Sequence, residues 1–205
     1  MLSVVSIESP AWKSRCHVVV NSGTGSCLVV DPGNFDIAQI EQVFVDQEIT
    51  RCDYILLTHE HFDHIAGAEV LKNKTGAQMI ASRACAAACR DVRENMSFYL
   101  DGKGFSLGAV DWVCEERGWT IPWEGHRIEM APCPGHSPGG ILIRLNRFLF
   151  TGDSLLATGP GPTHLPGGNK AQLALSLEGL RRKYPGEMMV YPGHGEAFPL
   201  SGGMG

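Results

Sequence analysis

Apolar and polar positions alternate along this chain in short bursts, and nearly every burst ends in a turn signal. Apolar runs at 17–20 and 27–30 flank Asn-Ser-Gly-Thr-Gly, the composition of a hairpin turn, and the second run closes on Asp31-Pro32-Gly33. Ile37, Ile40, Val43 and Phe44 recur at helical spacing, which predicts a helix over 35–47. A buried strand is expected at 54–57, a helix at 66–74 closed by Thr75-Gly76, and a strand at 78–81. Residues 84–104 read as a helix that dissolves into a Gly-rich loop. Farther on, strands are predicted at 110–114, 119–121 and 127–131, and a hairpin pairs 141–145 with 148–150 around Asn146. An amphipathic helix at 173–183 and a strand at 188–191 complete the pattern. The first half lacks strict strand–helix alternation, so an α/β fold with hairpin-rich sheets is expected rather than a doubly wound parallel sheet.

One arrangement recurs: an apolar strand runs straight into a polar residue able to bind a metal. It occurs at 54–57 into His59, at 148–150 into Asp153 and at 188–191 into His194. Side chains at strand ends can converge on one edge of a sheet. The densest segment is Thr58-His59-Glu60-His61-Phe62-Asp63-His64. Imidazoles two residues apart in extended chain point the same way, so His59 and His61 can grip one metal ion. Asp63 and His64 project from the following turn in another direction, suited to a second ion; the plainer alternative is a solvated acidic turn with Asp63 as a helix cap. His136 lies in Pro-Gly-His-Ser-Pro-Gly-Gly, Asp153 in Phe-Thr-Gly-Asp-Ser, and His194 in Tyr-Pro-Gly-His-Gly. Five of the eight histidines thus share tight turn contexts with two aspartates, a joint pattern that points to a metal centre.

Composition narrows the classes. With 205 residues, 43% hydrophobic and 19% charged, the chain can bury one large core, and one domain over 1–205 is expected. Disorder is excluded by the same figures. Net charge is −5 and no long Lys/Arg run is present, so no nucleic-acid partner is expected. Apolar stretches are too short for a bilayer span, and the N-terminus does not read as a signal peptide, so no membrane partner is expected. The seven cysteines include no Cys-x-x-Cys pair, which argues against a disulfide framework and for a cytoplasmic location. Cys85 and Cys89, four apart, read as small packed residues on one helix face.

The pattern His-x-His-x-Asp-His at 59–64, followed by His136, Asp153 and His194, resembles that of the metallo-β-lactamase superfamily, in its glyoxalase II-like branch. The likeness runs from Leu28-Val29-Val30-Asp31-Pro32-Gly33 to Gly195. It implies a four-layer αββα sandwich with a dinuclear site at one edge between the sheets. By that resemblance, His59, His61 and His136 take a first divalent ion, Asp63, His64 and His194 a second, and Asp153 bridges them. Zinc suits these nitrogen and oxygen donors, and iron or manganese also fit. The implied chemistry is hydrolysis by a metal-bridging hydroxide, since metal binding lowers the pKa of water from 15.7 to about 7. Asp63 is implied both as ligand and as the residue that orients the hydroxide.

Asp153 separates the chain from the true β-lactamases, which carry Cys or Ser near that place; thioester hydrolases, lactonases and phosphodiesterases of this pattern all keep it, and the leading expectation is a thioester, carried on an acyl-thiol carrier or a glutathione-type thiol. A short, single-domain relative is expected, without the C-terminal helical domain of glyoxalase II. Alternatives are a mononuclear iron persulfide dioxygenase, a lactone or phosphodiester hydrolase, and a binding protein that has lost catalysis. The segment 158–169 departs from the branch at Pro162, where Arg is usual, and at His164, where Asp is usual. His164 is therefore a candidate substrate-facing acid or base, against the alternative of an exposed loop residue. Residues 90–123, rich in Trp, Phe and Tyr, are expected to form a lid or acyl-binding wall, or else core. Cys133, set between two prolines, reads as a buried turn residue.

Overall fold

In a computed structural model, which describes residues 1–114 and 117–202, the continuous apolar runs send successive side chains to opposite faces. One six-stranded sheet runs in the order β1 (Leu2–Glu8), β2 (Arg15–Asn21), β3 (Ser26–Val30), β4 (Arg51–Leu56), β5 (Gln78–Ser82), β6 (Trp112–Cys114). The other runs in the order β14 (Phe198–Pro199), β13 (Met189–Pro192), β10 (Phe148–Gly152), β9 (Ile141–Leu145), β8 (His126–Pro132), β7 (Trp119–Trp123). Val19, Leu28, Val30, Leu56 and Ile80 from the first sheet meet Ile128, Ile141, Ile143 and Phe150 from the second in the inter-sheet core. Their neighbours Val18, Val29, Ile55 and Met79 face the other way, under a helical layer that contributes Ile40 of α1 (Ala38–Asp46), Leu71 of α3 (Ala68–Thr75) and Cys85 of α4 (Arg83–Ala88). Leu142 and Leu149 likewise turn outward onto Leu173, Leu177 and Leu180 of α6 (Lys170–Lys183). Period-2 alternation within strands apolar on both faces is what builds four layers, helix–sheet–sheet–helix.

Several elements differ from the sequence expectation. Strand β1 was not foreseen: Leu2 and Val4 lean on the inter-sheet core while Val5 and Ile7 lean on the helical side, with serines between them, so neither face shows a clean pattern. Strands β3 to β6 pair in parallel, so half of the first sheet does follow strand–helix crossovers. The helix expected over 84–104 stops at Ala88 and resumes only as α5 (Phe98–Asp101). Side chains take over the backbone groups between: Asp91 Oδ1 accepts from the amides of Arg93 and Glu94, and the Asn95 amide donates to the carbonyls of Cys89 and Phe105. Within 90–123, Leu107 and Trp123 are buried, while Phe105, Trp112 and Trp119 pack against the cores. Tyr99 and Leu100 are exposed. Pro122 sits inside β7, which tolerates it as an edge strand. Among the described residues, no helix is long and apolar enough to cross a membrane.

Phe150 is 1% exposed and its ring stacks on Tyr191 at 5.3 Å between the sheets. Phe150→Ala is expected to lower unfolding free energy by about 3–5 kcal/mol, read from urea denaturation. A loss below about 1 kcal/mol would mean the inter-sheet core repacks around the cavity.

Candidate metal centre

Strand ends bring the ligand-type side chains to one edge. His59 and His61 follow β4, and α2 (Phe62–Ile65) carries Asp63 and His64. His136 follows β8, Asp153 follows β10, and His194 follows β13. Parallel pairing of β10 with β13 sets Gly152 opposite Pro192, so Asp153 and His194 leave the same edge, and the Gly193 amide donates to the Gly152 carbonyl at 2.8 Å. A Cβ on Gly193 would stand 2.1 Å from Asp153 Oδ1 and 2.7 Å from His64 Cε1, so only glycine lets this loop close on the cluster.

Ligand atoms of Asp31, His59 and His64 lie within 4.8 Å of one another, and two further triads do the same: His59, His61 and His136, and Asp63, His64 and His194. Asp153 stands between them, with Oδ1 3.5 Å from His64 Nε2, and Oδ2 3.5 Å from His194 Nε2 and 3.8 Å from His136 Nε2. The Nε2 atoms of His59, His61 and His64 and Oδ1 of Asp153 are buried without a hydrogen-bond partner. Buried polar atoms are rarely left so, and orphans of this chemistry fit divalent cations, with His61 turning Nδ1 toward His136 Nε2 at 3.0 Å.

The far side of three of the rings is held. His136 Nδ1–H donates to the Pro162 carbonyl at 2.7 Å, leaving Nε2 to face the cluster. Asp31, 2% exposed, accepts from the Thr58 amide at 2.7 Å, from Thr58 Oγ1 at 2.5 Å and from His64 Nδ1 at 3.2 Å. Because Thr58 Oγ1 gives its proton to Asp31, it accepts from His59 Nδ1–H at 3.0 Å, which fixes that tautomer too. Ser14 Oγ donates to the Asp63 carbonyl at 2.7 Å, and Ser14 forms a bridge with His194. His17, buried, accepts from Ser6 Oγ at Nδ1 and donates from Nε2 to the Pro192 carbonyl at 3.0 Å, tying β2 to the strand that ends in His194.

Burial and neighbouring charge set the protonation states. Burial, with nearby imidazoles, holds His59 well below its ordinary range and brings His61 down to about 3. His136 is also lowered by burial, and His17 falls to about 4 for the same reason. Burial pulls His64 the same way, but the carboxylates of Asp63, Asp153 and Asp31 outweigh it and push His64 up to about 10. Asp63 shows the reverse balance: burial raises it, yet His64 and His194 bring it down to about 2. His59, His61 and His136 are therefore neutral imidazoles and Asp63 is ionised, the states that bind a metal.

The structure thus gathers His59, His61, Asp63, His64, His136, Asp153 and His194 in one place. His164 is exposed, in the loop that supplies the Pro162 carbonyl. Cys133 is buried, as expected of a turn residue. Asp31, Ser14, His17 and Glu60 were not singled out from the sequence. Only Asp31 left a signal, as a carboxylate ending an apolar strand. A cleft of about 470 Å³ lies away from the cluster, on the outer side of the His136 turn, lined by Pro132, Pro134, Pro138 and α4.

Comparison with known proteins agrees with this geometry. The family model described as the metallo-beta-lactamase superfamily matches residues 10–194. A probable polyketide biosynthesis zinc-dependent hydrolase, BaeB of Bacillus velezensis, is 27% identical over 183 residues, 89% of this chain and 73% of that protein. A hydroxyacylglutathione hydrolase of Anaeromyxobacter dehalogenans is 31% identical over 176 residues, 85% of this chain; the match spans 59% of that relative's length. The crystal structure of BLEG-1, described as a B3 metallo-beta-lactamase, superposes with a TM-score of 0.88 at 24% identity, covering 97% of this chain and 95% of that one, a likeness of fold.

The protonation states give the metal-free protein a pH profile. His17 and His61 have folded values of about 4 and 3 against 6.5, so their contribution is complete above 6.5 and is lost as pH falls toward those values. His64, at about 10 against 6.5, stabilises fully below 6.5 and loses that contribution as pH rises through 10. The urea midpoint of the metal-free protein should therefore peak near neutral pH and decline on both sides. A midpoint that climbs steadily from neutral to alkaline pH would contradict the His64 assignment.

Proposed function

Because the chain belongs to the metallo-beta-lactamase superfamily, we propose that it is a dinuclear metal-dependent hydrolase of acyl thioesters. The pair of triads with Asp153 between them carries this reading. His59, His61 and His136 would hold one divalent ion, and Asp63, His64 and His194 the other, with Asp153 shared. Two such ions, most naturally zinc on this nitrogen and oxygen donor set, supply a hydroxide nucleophile at neutral pH.

The protein's own groups supply orientation. Asp63, ionised and 3.3 Å from His194 Nε2, is placed to accept a hydrogen bond from the nucleophile and so aim it. The site is flanked by aromatic rings: Phe62 follows His61 directly and meets Trp12 edge-on at 5.1 Å, and Trp12 meets Phe35, itself 47% exposed. Such a wall suits the apolar acyl part of a thioester. The Phe62 amide donates to the Asn95 carbonyl, so the segment ending in exposed Tyr99 and Leu100 lies beside this wall and is proposed as its cover. His164 is proposed as a rim residue acting on substrate binding rather than on the chemical step. The names of the polyketide and hydroxyacylglutathione relatives support thioester chemistry.

Protein purified without chelator should carry close to two divalent ions per chain by element-resolved mass spectrometry and should release free thiol from a panel of acyl thioesters. Asp63→Asn is expected to reduce kcat by about 10²-fold or more, and His61→Ala to lose metal together with activity. His164→Ala should raise KM and leave kcat within about threefold. One iron per chain, with oxygen uptake on a persulfide and no thioester turnover, would overturn the reading.

A further inference from the structure

Glu60 lies between His59 and His61 in an extended segment, so its side chain leaves the opposite side from the two rings. The residue is 2% exposed, and none of the ion pairs among the described residues involves it. Oε2 accepts from Ser137 Oγ at 3.1 Å, and Oε1 accepts from the Gly139 amide at 3.3 Å. Ser82 Oγ holds the same turn from its other side, donating to the Gly139 carbonyl at 2.7 Å. The approach is too close for any side chain at 139: a Cβ there would stand 2.2 Å from Glu60 Oε2 and 2.6 Å from the Cys85 nitrogen. A buried carboxylate with only neutral partners costs stability, so an apolar residue would better fill a role of packing alone.

We propose that Glu60 is a positioning residue, whose carboxylate clamps the 137–139 turn and thereby holds His136 against His59 and His61. Pro162 fixes the His136 ring through Nδ1; Glu60 fixes the backbone that carries it. The same short segment that supplies two histidines of the first triad thus also places the third, which is 75 residues from His61. This inference rests on the dinuclear reading above for what the triad holds.

The test is zinc binding to the metal-stripped chain in competition with a chromophoric chelator, on the parent, Glu60→Ala, Glu60→Gln and Ser137→Ala. Glu60→Ala is expected to weaken one of the two zinc steps by about tenfold to hundredfold and leave the other within about threefold. Glu60→Gln should return to within about threefold of the parent, because its carbonyl can accept from Gly139 and its amide can donate to Ser137 Oγ. Ser137→Ala, which removes one arm, should weaken the same step by about threefold to tenfold, and it decides the matter if Glu60→Ala does not fold. Two unchanged zinc steps in Glu60→Ala or Ser137→Ala, or a Gln variant as impaired as Ala, would overturn the clamp. A parent that binds only one zinc overturns the dinuclear reading instead, and the clamp is then judged on that single step.

Discussion

Imidazoles and carboxylates buried together must each find a partner for every polar atom, and that constraint organises this molecule around one edge of its two sheets. The outward nitrogen of His59 reaches Thr58, that of His64 reaches Asp31, and that of His136 reaches the Pro162 carbonyl. What is left over is a set of inward atoms with nothing protein-borne to bind. Asp31 sits at the root of this network, collecting three donors and two of the rings through them. The carboxylates then decide which imidazole is charged: His64, which faces three of them, keeps its proton, while His59, His61 and His136 do not.

The same requirement locks the layers to each other. His17 reaches from the first sheet to Pro192 of the second, and the Arg15 amide donates to the Gly193 carbonyl. The turn between β1 and β2 therefore touches both the segment bearing Asp63 and the segment bearing His194. Polar contacts of this kind between sheets set a unique register that apolar packing alone leaves looser.

Much of the site could be read from the sequence because its residues lie in dense or rigid local patterns: four ligand-type side chains within 59–64, and single ones framed by Gly and Pro at 136, 153 and 194. The layered fold came chiefly through the family resemblance, and the strand and helix pattern supported it for most elements. The groups that hold the rings escaped, for a physical reason. A buried His17, Glu60 or Ser14 looks like any polar residue until its partner is known, and those partners are 175, 77 and 79, and 49 residues away. Strand β1 was hidden by its half-burial on both faces, and the helix over 84–104 failed because Asp91 and Asn95 compete for backbone groups. His164 stands in solvent, where a substrate-facing residue and a plain loop residue look alike.

Parallel pairing of β10 with β13 has a consequence for the order in which the molecule is made. That pairing brings in β13 only after the α6 crossover, so His194 joins His64 and Asp63 through contacts of very high sequence separation. Contacts of that kind form late, because the closure entropy of the long intervening chain is paid before they return anything. The triad of His59, His61 and His136 needs only the chain between 59 and 136, whereas the other needs the chain between 63 and 194. The triad that includes His194 is therefore the slower of the two to assemble as the chain folds.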